Sequence, residues 1–287
     1  NEWSHNQAQR WDFYNNDVPS INMGSESSWK SYGYNNEYAL RSYFGRLNYN
    51  YDNRYLIEAN LRYDGTSRFT GDNQYGTFPS FSAGWRISNE AFWSDELRNI
   101  VSDLKLRASW GKTGNQEIDN YQYSSTITTG INYPDGNGGL IQGAFPKDFA
   151  NPDIKWESTA MTNVGIDFVA FNNRLSITAD WYVKNTKDIL LTVPIPISSG
   201  GANDPVRNAG KIRNKGFEFN VAWNTNVNSD LSYGVSVLGS FNKNEVTAMG
   251  TGSQAIWGGA TNQNINTCKT MAGYPIGSYW LIPTDGY

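Results

Sequence analysis

The sequence predicts an all-β chain. It should form part of an antiparallel transmembrane β-barrel wall, with lipid on one face and water on the other. Three observations predict this. The first is a hairpin at residues 39–64 with a period of two, the period at which strand side chains change faces. Tyr43, Gly45, Leu47, Tyr49 and Tyr51 share a side with Tyr55, Ile57, Ala59, Leu61 and Tyr63. Opposite them stand Arg46, Asn48, Asn50, Glu58, Asn60, Arg62 and Asp64, interrupted by Phe44 and Leu56. Soluble sheets also alternate. Long arms, tyrosines gathered at the turn and charge on the second face point instead to a membrane wall. The second observation is the rhythm of the connections: short ones at 52–53, 171–173 and 226–230, long ones at 65–77, 113–154, 187–209 and 244–276. Only the medium connection at 89–102 departs from it. Outer-membrane barrels alternate in this way, and compact soluble domains rarely carry several structureless loops so long. The third is composition. Aromatic residues make up 15% of the 287 residues, with 11 Trp, 18 Tyr and 13 Phe, which suits barrel girdles, carbohydrate binding or both.

In chain order, residues 1–37 read as a polar, aromatic loop region with room for strand pieces. Strands follow at 38–51 and 54–65. A third, at 78–88, sets Phe81, Ala83, Trp85 and Ile87 against Ser80, Ser82, Gly84 and Arg86. A short helix is expected within Asn89–Val101, from Phe92, Leu97 and Ile100 at helical spacing, with Ser88 as its cap. The fourth strand, 103–112, sets Leu104, Leu106, Ala108 and Trp110 against Lys105, Arg107 and Ser109. After an irregular stretch at 113–154 comes a fifth, 156–170, with Val164, Ile166 and Phe168 against Asn163 and Asp167. Asn172 and Asn173 mark a turn. The sixth, 174–185, sets Leu175, Ile177, Ala179, Trp181 and Val183 against Thr178, Asp180 and Lys184. The seventh, 211–225, sets Phe217, Phe219, Val221 and Trp223 against Glu218 and Asn220. The eighth, 231–243, sets Tyr233, Val235, Val237 and Phe241 against Ser236, Ser240 and Asn242. Tyr279–Ile282 is expected to begin a ninth. Most segments match the 9–11 residues, roughly, that a tilted strand needs to cross a bilayer.

Composition excludes other classes. No run of 18 apolar residues exists and mean hydropathy is −0.60, so no transmembrane helix is expected. That does not weigh against a barrel. Net charge is −4 with scattered basic residues, so no nucleic-acid partner is expected. One cysteine, Cys268, and one histidine, His5, leave no disulfide within the chain, no Cys/His zinc site and no histidine-based triad. Neither residue is assigned a role, and no cofactor or metal is expected. Residue 1 is not Met, no signal peptide is visible, and the turn-like ending Thr284–Tyr287 is that expected of a fragment.

Nine stretches in order over residues 38–287 resemble the SusC/RagA-type TonB-dependent transporters. They are Tyr43–Tyr49, Leu61–Phe69, Phe78–Ser80, Leu106–Gln116, Asn151–Glu157, Asn172–Leu175, Asn208–Gly210, Asn214–Glu218 and Gly273–Ser278. The resemblance implies a large plugged outer-membrane barrel of about 22 strands, of which residues 38–287 would supply about eight or nine. It also implies a SusD-like surface lipoprotein as lid, energy from a TonB–ExbB–ExbD complex, and oligosaccharide or peptide cargo. This chain shows no plug-like segment and no TonB box, so missing protein is expected on both sides of the arc.

The candidate functional residues follow from the two faces. Arg46, Asn48, Glu58, Asn60, Arg62, Asp64, Arg86, Lys105, Arg107, Asp167, Asp180 and Glu218 would face the lumen, lining a cargo path or gripping the plug. Mutual pairing of these charges is expected, rather than a glycosidase pair, whose carboxylates must face each other at about 5–9 Å. Trp85, Trp110, Trp181 and Trp223 lie on the apolar face as interface anchors. Trp156, Trp257, Tyr274 and Trp280, in or beside the long connections, are candidates for substrate or lid contact, with loop packing the stronger reading. Gly136–Gly139 lacks phosphate-loop spacing, and no calcium-loop pattern appears in the loops. Two other classes fit the composition: a complete small outer-membrane barrel acting as adhesin or anchor, and a secreted β-rich glycan-binding module.

Overall fold

The computed structural model describes residues 2–12, 25–28, 30–195, 198, 203–250, 255–260 and 266–281. Glu2–Gln9 (β1) and Lys30–Glu37 (β2) pair antiparallel as a hairpin of their own, within the stretch read as polar loop. The wall begins with β3 (Leu40–Tyr51) and β4 (Tyr55–Thr66), followed by β5 (Tyr75–Arg86), the helix α1 (Asp95–Ile100) and β6 (Val101–Asn115). A second hairpin, β7 (Ile127–Pro134) with β8 (Leu140–Pro146), stands on the next connection. Then come β9 (Glu157–Ala170) and β10 (Leu175–Lys187), the short pair β11 (Leu190–Thr192) and β12 (Val206–Asn208), and β13 (Lys211–Asn226) and β14 (Ser232–Ala248). A small sheet of β15 (Ile256–Ala260), β16 (Asn266–Thr270) and β17 (Ser278–Tyr279) follows.

Eight strands form one antiparallel sheet, in the spatial order β3, β4, β5, β6, β9, β10, β13, β14. Each is 12–17 residues long. Among the described residues β3 and β14 have one sheet neighbour each, so the wall is an open arc. The expected ninth strand is not part of it. Ser278–Tyr279 pairs with β16, because the chain turns back at the rim before reaching the free edge of β14. Trp280 and Leu281 fall outside any strand, and Ile282 lies outside the described residues.

The register keeps like with like across the arc. Tyr49, Ile57, Ala83, Ala108, Val164, Trp181, Phe217 and Phe241 are cross-strand partners in sequence, one strand to the next. Asn48, Glu58, Ser82, Ser109, Asn163 and Tyr182 form the neighbouring row on the opposite face. Among the described residues, no second layer packs on the apolar face. Leu47 is 68% exposed, Ile57 51% and Val235 60%. Buried hydrophobic residues are limited to Phe69, Phe78, Ile154, Ala170, Ala209 and Val246 among those described, and these sit at or near the ends of the strands. A one-layer sheet with this much naked apolar surface is stable only where lipid replaces the missing layer.

The short connections lie at one rim. At Asp52 and Asn53 φ is +52° and +50°, and the Arg54 N–H donates to the Tyr51 carbonyl at 2.9 Å. This is a type I′ turn, which matches strand twist and suits Asp and Asn. Phe171, Asn172 and Asn173 also take positive φ in the turn after β9. The helix lies where it is expected, but Ser94 caps it, accepting the Leu97 N–H at 3.3 Å. Ser88, the expected cap, is buried and donates to Asp103 Oδ1 at 2.8 Å. It lies too far before Asp95 to reach the free N–H groups of the first turn.

The long connections share the other rim, and they are more ordered than an irregular reading implies. Beyond the β7–β8 hairpin, the strand ends are knotted together. Trp156 lies against Phe69 and Phe78, with ring centroids at 5.6 and 5.3 Å, and donates Nε1 to the Gln74 carbonyl at 3.3 Å. Asn208 exchanges bonds with the Lys155 backbone at 2.9 and 2.7 Å and reaches the Asp188 carbonyl at 2.9 Å. Arg68 donates to Asn120 Oδ1 at 3.0 Å, and Asn120 donates to the Glu37 carbonyl at 3.2 Å, which ties the first hairpin to this rim.

Candidate functional site

Side-chain parity places all twelve charged and amide candidates on the polar face, and hydrogen bonds gather most of them into small groups. Arg46 Nη2 meets Glu58 Oε2 at 2.5 Å, and Asn60 donates to Glu58 Oε1 at 2.8 Å. Arg62 pairs with Asp64 at 3.1 Å along one strand. Arg86 pairs at 3.2 Å with Asp103, a partner that the sequence reading did not single out. The largest group joins three strands. Arg107 reaches Asp167 at 2.9 Å and Asp180 at 3.0 Å, and Lys105 reaches Asp167 at 3.4 Å. Glu218 has no ion-pair partner among the described residues and stays exposed.

Two cations and two carboxylates make the Arg107 group neutral overall, and each side chain keeps some contact with water. Such a group keeps a water-facing wall polar without a strong field of one sign. Beside it, Asn48, Glu58, Ser82, Gly84, Lys105 and Arg107 line an open depression of about 470 Å³. Large exposed apolar residues break the polar face on the edge strands of the arc: Phe44 on β3, 82% exposed, and Leu238 on β14, 78% exposed, stand out most. Phe44 is legible as an exception to alternation. Leu238 could have been found by the same count.

The four loop aromatics divide. Trp156 is half-buried in the rim knot. Trp257 and Trp280 stand on the small sheet, about half exposed, with the Lys269 ammonium 4.8 Å from one ring and 4.3 Å from the other. A cation between two indole faces holds both rings upright. Lys269 gave no signal in the sequence, because its partners lie 12 and 11 residues away across loops. Tyr274 fastens this sheet to the wall: its carbonyl accepts the Val246 N–H at 2.9 Å, and Gly273 donates to the Val246 carbonyl at 2.8 Å.

Titratable groups outside the wall are held by local bonds. Asp148 accepts from the Thr126 hydroxyl and from Asn203 Nδ2, which keeps its carboxyl below the ordinary aspartate range. Asp135 does likewise through the backbone N–H groups of Asn137 and Gly139, at the tip of the β7–β8 hairpin where the glycine run sits. At the other rim, Glu90 accepts from the Tyr55 hydroxyl and the Trp85 indole, and its carboxyl is lowered as well. Among the described residues no group of three or more His, Cys, Asp or Glu is placed to hold a metal.

A single-layer arc with an exposed apolar face, a charged opposite face and ordered loops at one rim defines a portion of a membrane β-barrel wall. The chain belongs to the TonB-dependent receptor-like β-barrel family, whose model matches residues 1–279. It is 34% identical over 285 residues to the TonB-dependent receptor SusC of Bacteroides thetaiotaomicron, covering 96% of this chain and 28% of that protein. It is 33% identical over 277 residues to the TonB-dependent receptor P39 of Formosa agariphila, covering 93% of this chain and 26% of that one. Its fold is similar to the RagAB peptide transporter structure, with a TM-score of 0.80, 29% identity, and coverage of 97% of this chain and 30% of that one. The chain thus spans under a third of the length of each of these three relatives.

Proposed function

We propose that this chain forms pore wall and external loops of an outer-membrane, TonB-dependent nutrient importer. One observation carries the reading: a one-layer sheet leaves its apolar face bare and lines the other with paired charges of both signs. Bilayer on one side and an aqueous passage on the other satisfy both faces. Likeness to SusC and to the RagAB peptide transporter supports import. The cargo class is hydrated and polar, an oligosaccharide or a peptide. A SusD-like lipoprotein acts as lid over the long-loop rim, and a TonB–ExbB–ExbD complex supplies energy through a plug. Polar-face residues border the cargo path or hold that plug. Trp257, Trp280 and Tyr274 meet cargo or lid in this reading, and Trp156 packs the loop rim.

Deleting the gene should abolish growth on one oligosaccharide or peptide as sole carbon source, and the full-length protein should restore it. Pull-down of the full-length protein from detergent should bring a surface lipoprotein with it. Recovery of the full-length protein in the aqueous phase without detergent would overturn the reading.

A further inference from the structure

The short-turn rim carries apolar side chains that a bilayer-spanning wall does not account for. Phe92, Leu97 and Ile100 are 65%, 45% and 54% exposed, on and just before α1. Residues three or four apart share a helix face. Asp95 and Arg98 pair at 3.5 Å on one face, and Arg98 Nη2 donates to the Ser88 carbonyl at 3.2 Å. Leu97 and Ile100 therefore lie on the other face, turned away from the Ser88 loop. The chain of contacts then leads to the wall. The Ile100 carbonyl accepts the Phe171 N–H at 2.7 Å. The Phe171 ring, 49% exposed, lies 6.3 Å from that of Trp223 on the apolar face.

We propose that α1 and Phe171 form a foot lying in the interfacial layer of the leaflet at the short-turn rim. Leu97, Ile100 and Phe92 rest at the boundary between headgroups and acyl chains. The occupant is lipid because the patch continues, through Trp223, the surface that faces lipid. Asp95 and Glu96 offer no pull toward anionic headgroups, so apolar burial holds the foot and lipid charge is immaterial. The inference rests on the wall reading above.

The test uses full-length protein in a background free of other cysteines, with Cys268→Ser. Single cysteines replace Asp95, Leu97, Ile100 or Val164, and each carries an environment-sensitive fluorophore. The protein is reconstituted in phosphatidylcholine vesicles brominated near either end of the acyl chain. Aqueous iodide should quench the labels at Leu97 and Ile100 at least about threefold less than that at Asp95. Bromines near the headgroup should quench them most, and added anionic lipid should change nothing. Iodide reaching positions 95, 97 and 100 equally, while bromolipid quenches Val164, would overturn the foot and leave the wall intact; that result would mean a protein partner covers this face or none does. Iodide quenching at Val164 would overturn both.

Discussion

Arg107 on β6 grips Asp167 on β9 with both edges of its guanidinium, Nε to Oδ2 at 2.9 Å and Nη2 to Oδ1 at 3.0 Å. The same Nη2 reaches Asp180 on β10 at 3.0 Å. One side chain thus staples three strands and separates two carboxylates. Arg107→Met in the full-length protein should cost about 1–2 kcal/mol, more than an exposed pair, because it leaves two half-buried carboxylates facing each other. Adding Asp180→Asn should restore part of the loss. Urea unfolding in detergent checks both. A double variant no more stable than the single would remove the staple from the account.

Gly165 sits level with the staple. A Cβ there would come within 2.3 Å of Asp180 Oδ1 and 2.8 Å of Arg107 Nη2. Gly165→Ala should therefore break the same fork, and its effect should not add to that of Arg107→Met. Additive losses would show that the glycine serves something else.

Trp156 fills the space between Phe69 and Phe78, beside the fully buried Ile154. Trp156→Ala should cost about 3 kcal/mol of loop docking. Protease should then cut the full-length protein within 113–155 and 188–210, while the wall stays resistant. Unchanged loop cleavage would contradict the packing role.

Asp148 lies in a long connection, outside the wall. Bonds from the Thr126 hydroxyl and the Asn203 amide hold its carboxyl below the ordinary value of 3.8. The charged form is the one bound. Its stabilising effect is therefore complete above the ordinary value and is lost as pH falls through the lower folded value. The backbone N–H of Asn203, a different group from the side chain that holds Asp148, donates to the Lys147 carbonyl at 2.7 Å; its protection from hydrogen exchange should persist from neutral to mildly acid pH and fall only in strong acid. Asp148→Asn should remove that acid dependence. Loss of protection already at mildly acid pH would refute the assignment.

Much of the wall was legible because a one-layer sheet between lipid and water imposes its period on every strand. Leu47, Ile57 and Val164 fall on the correct face by parity alone, as do Glu58, Arg107 and Asp180. The hairpins β1–β2 and β7–β8 were less legible: the arms of the first are mostly polar, leaving room for no more than strand pieces, and in the second the register slips between Thr129 and Ile131, which breaks the period of Ile127, Ile131 and Tyr133. Which charges would meet was also hidden. Asp167 is the partner of Arg107 only because β9 lies beside β6 after a long excursion, and parity does not name neighbours. Ser88 and Ser94 offer the same hydroxyl, and only the helix start distinguishes them.

The rim knot has a mechanical consequence. Phe69, Ile154 and Asn208 come from three separate connections, yet they are lashed at their roots through Trp156 and the Lys155 backbone. Any movement of these connections must then pivot farther out, on the hairpin past Thr126 and the platform that bears Trp257. The bases of those arms behave as a fixed collar.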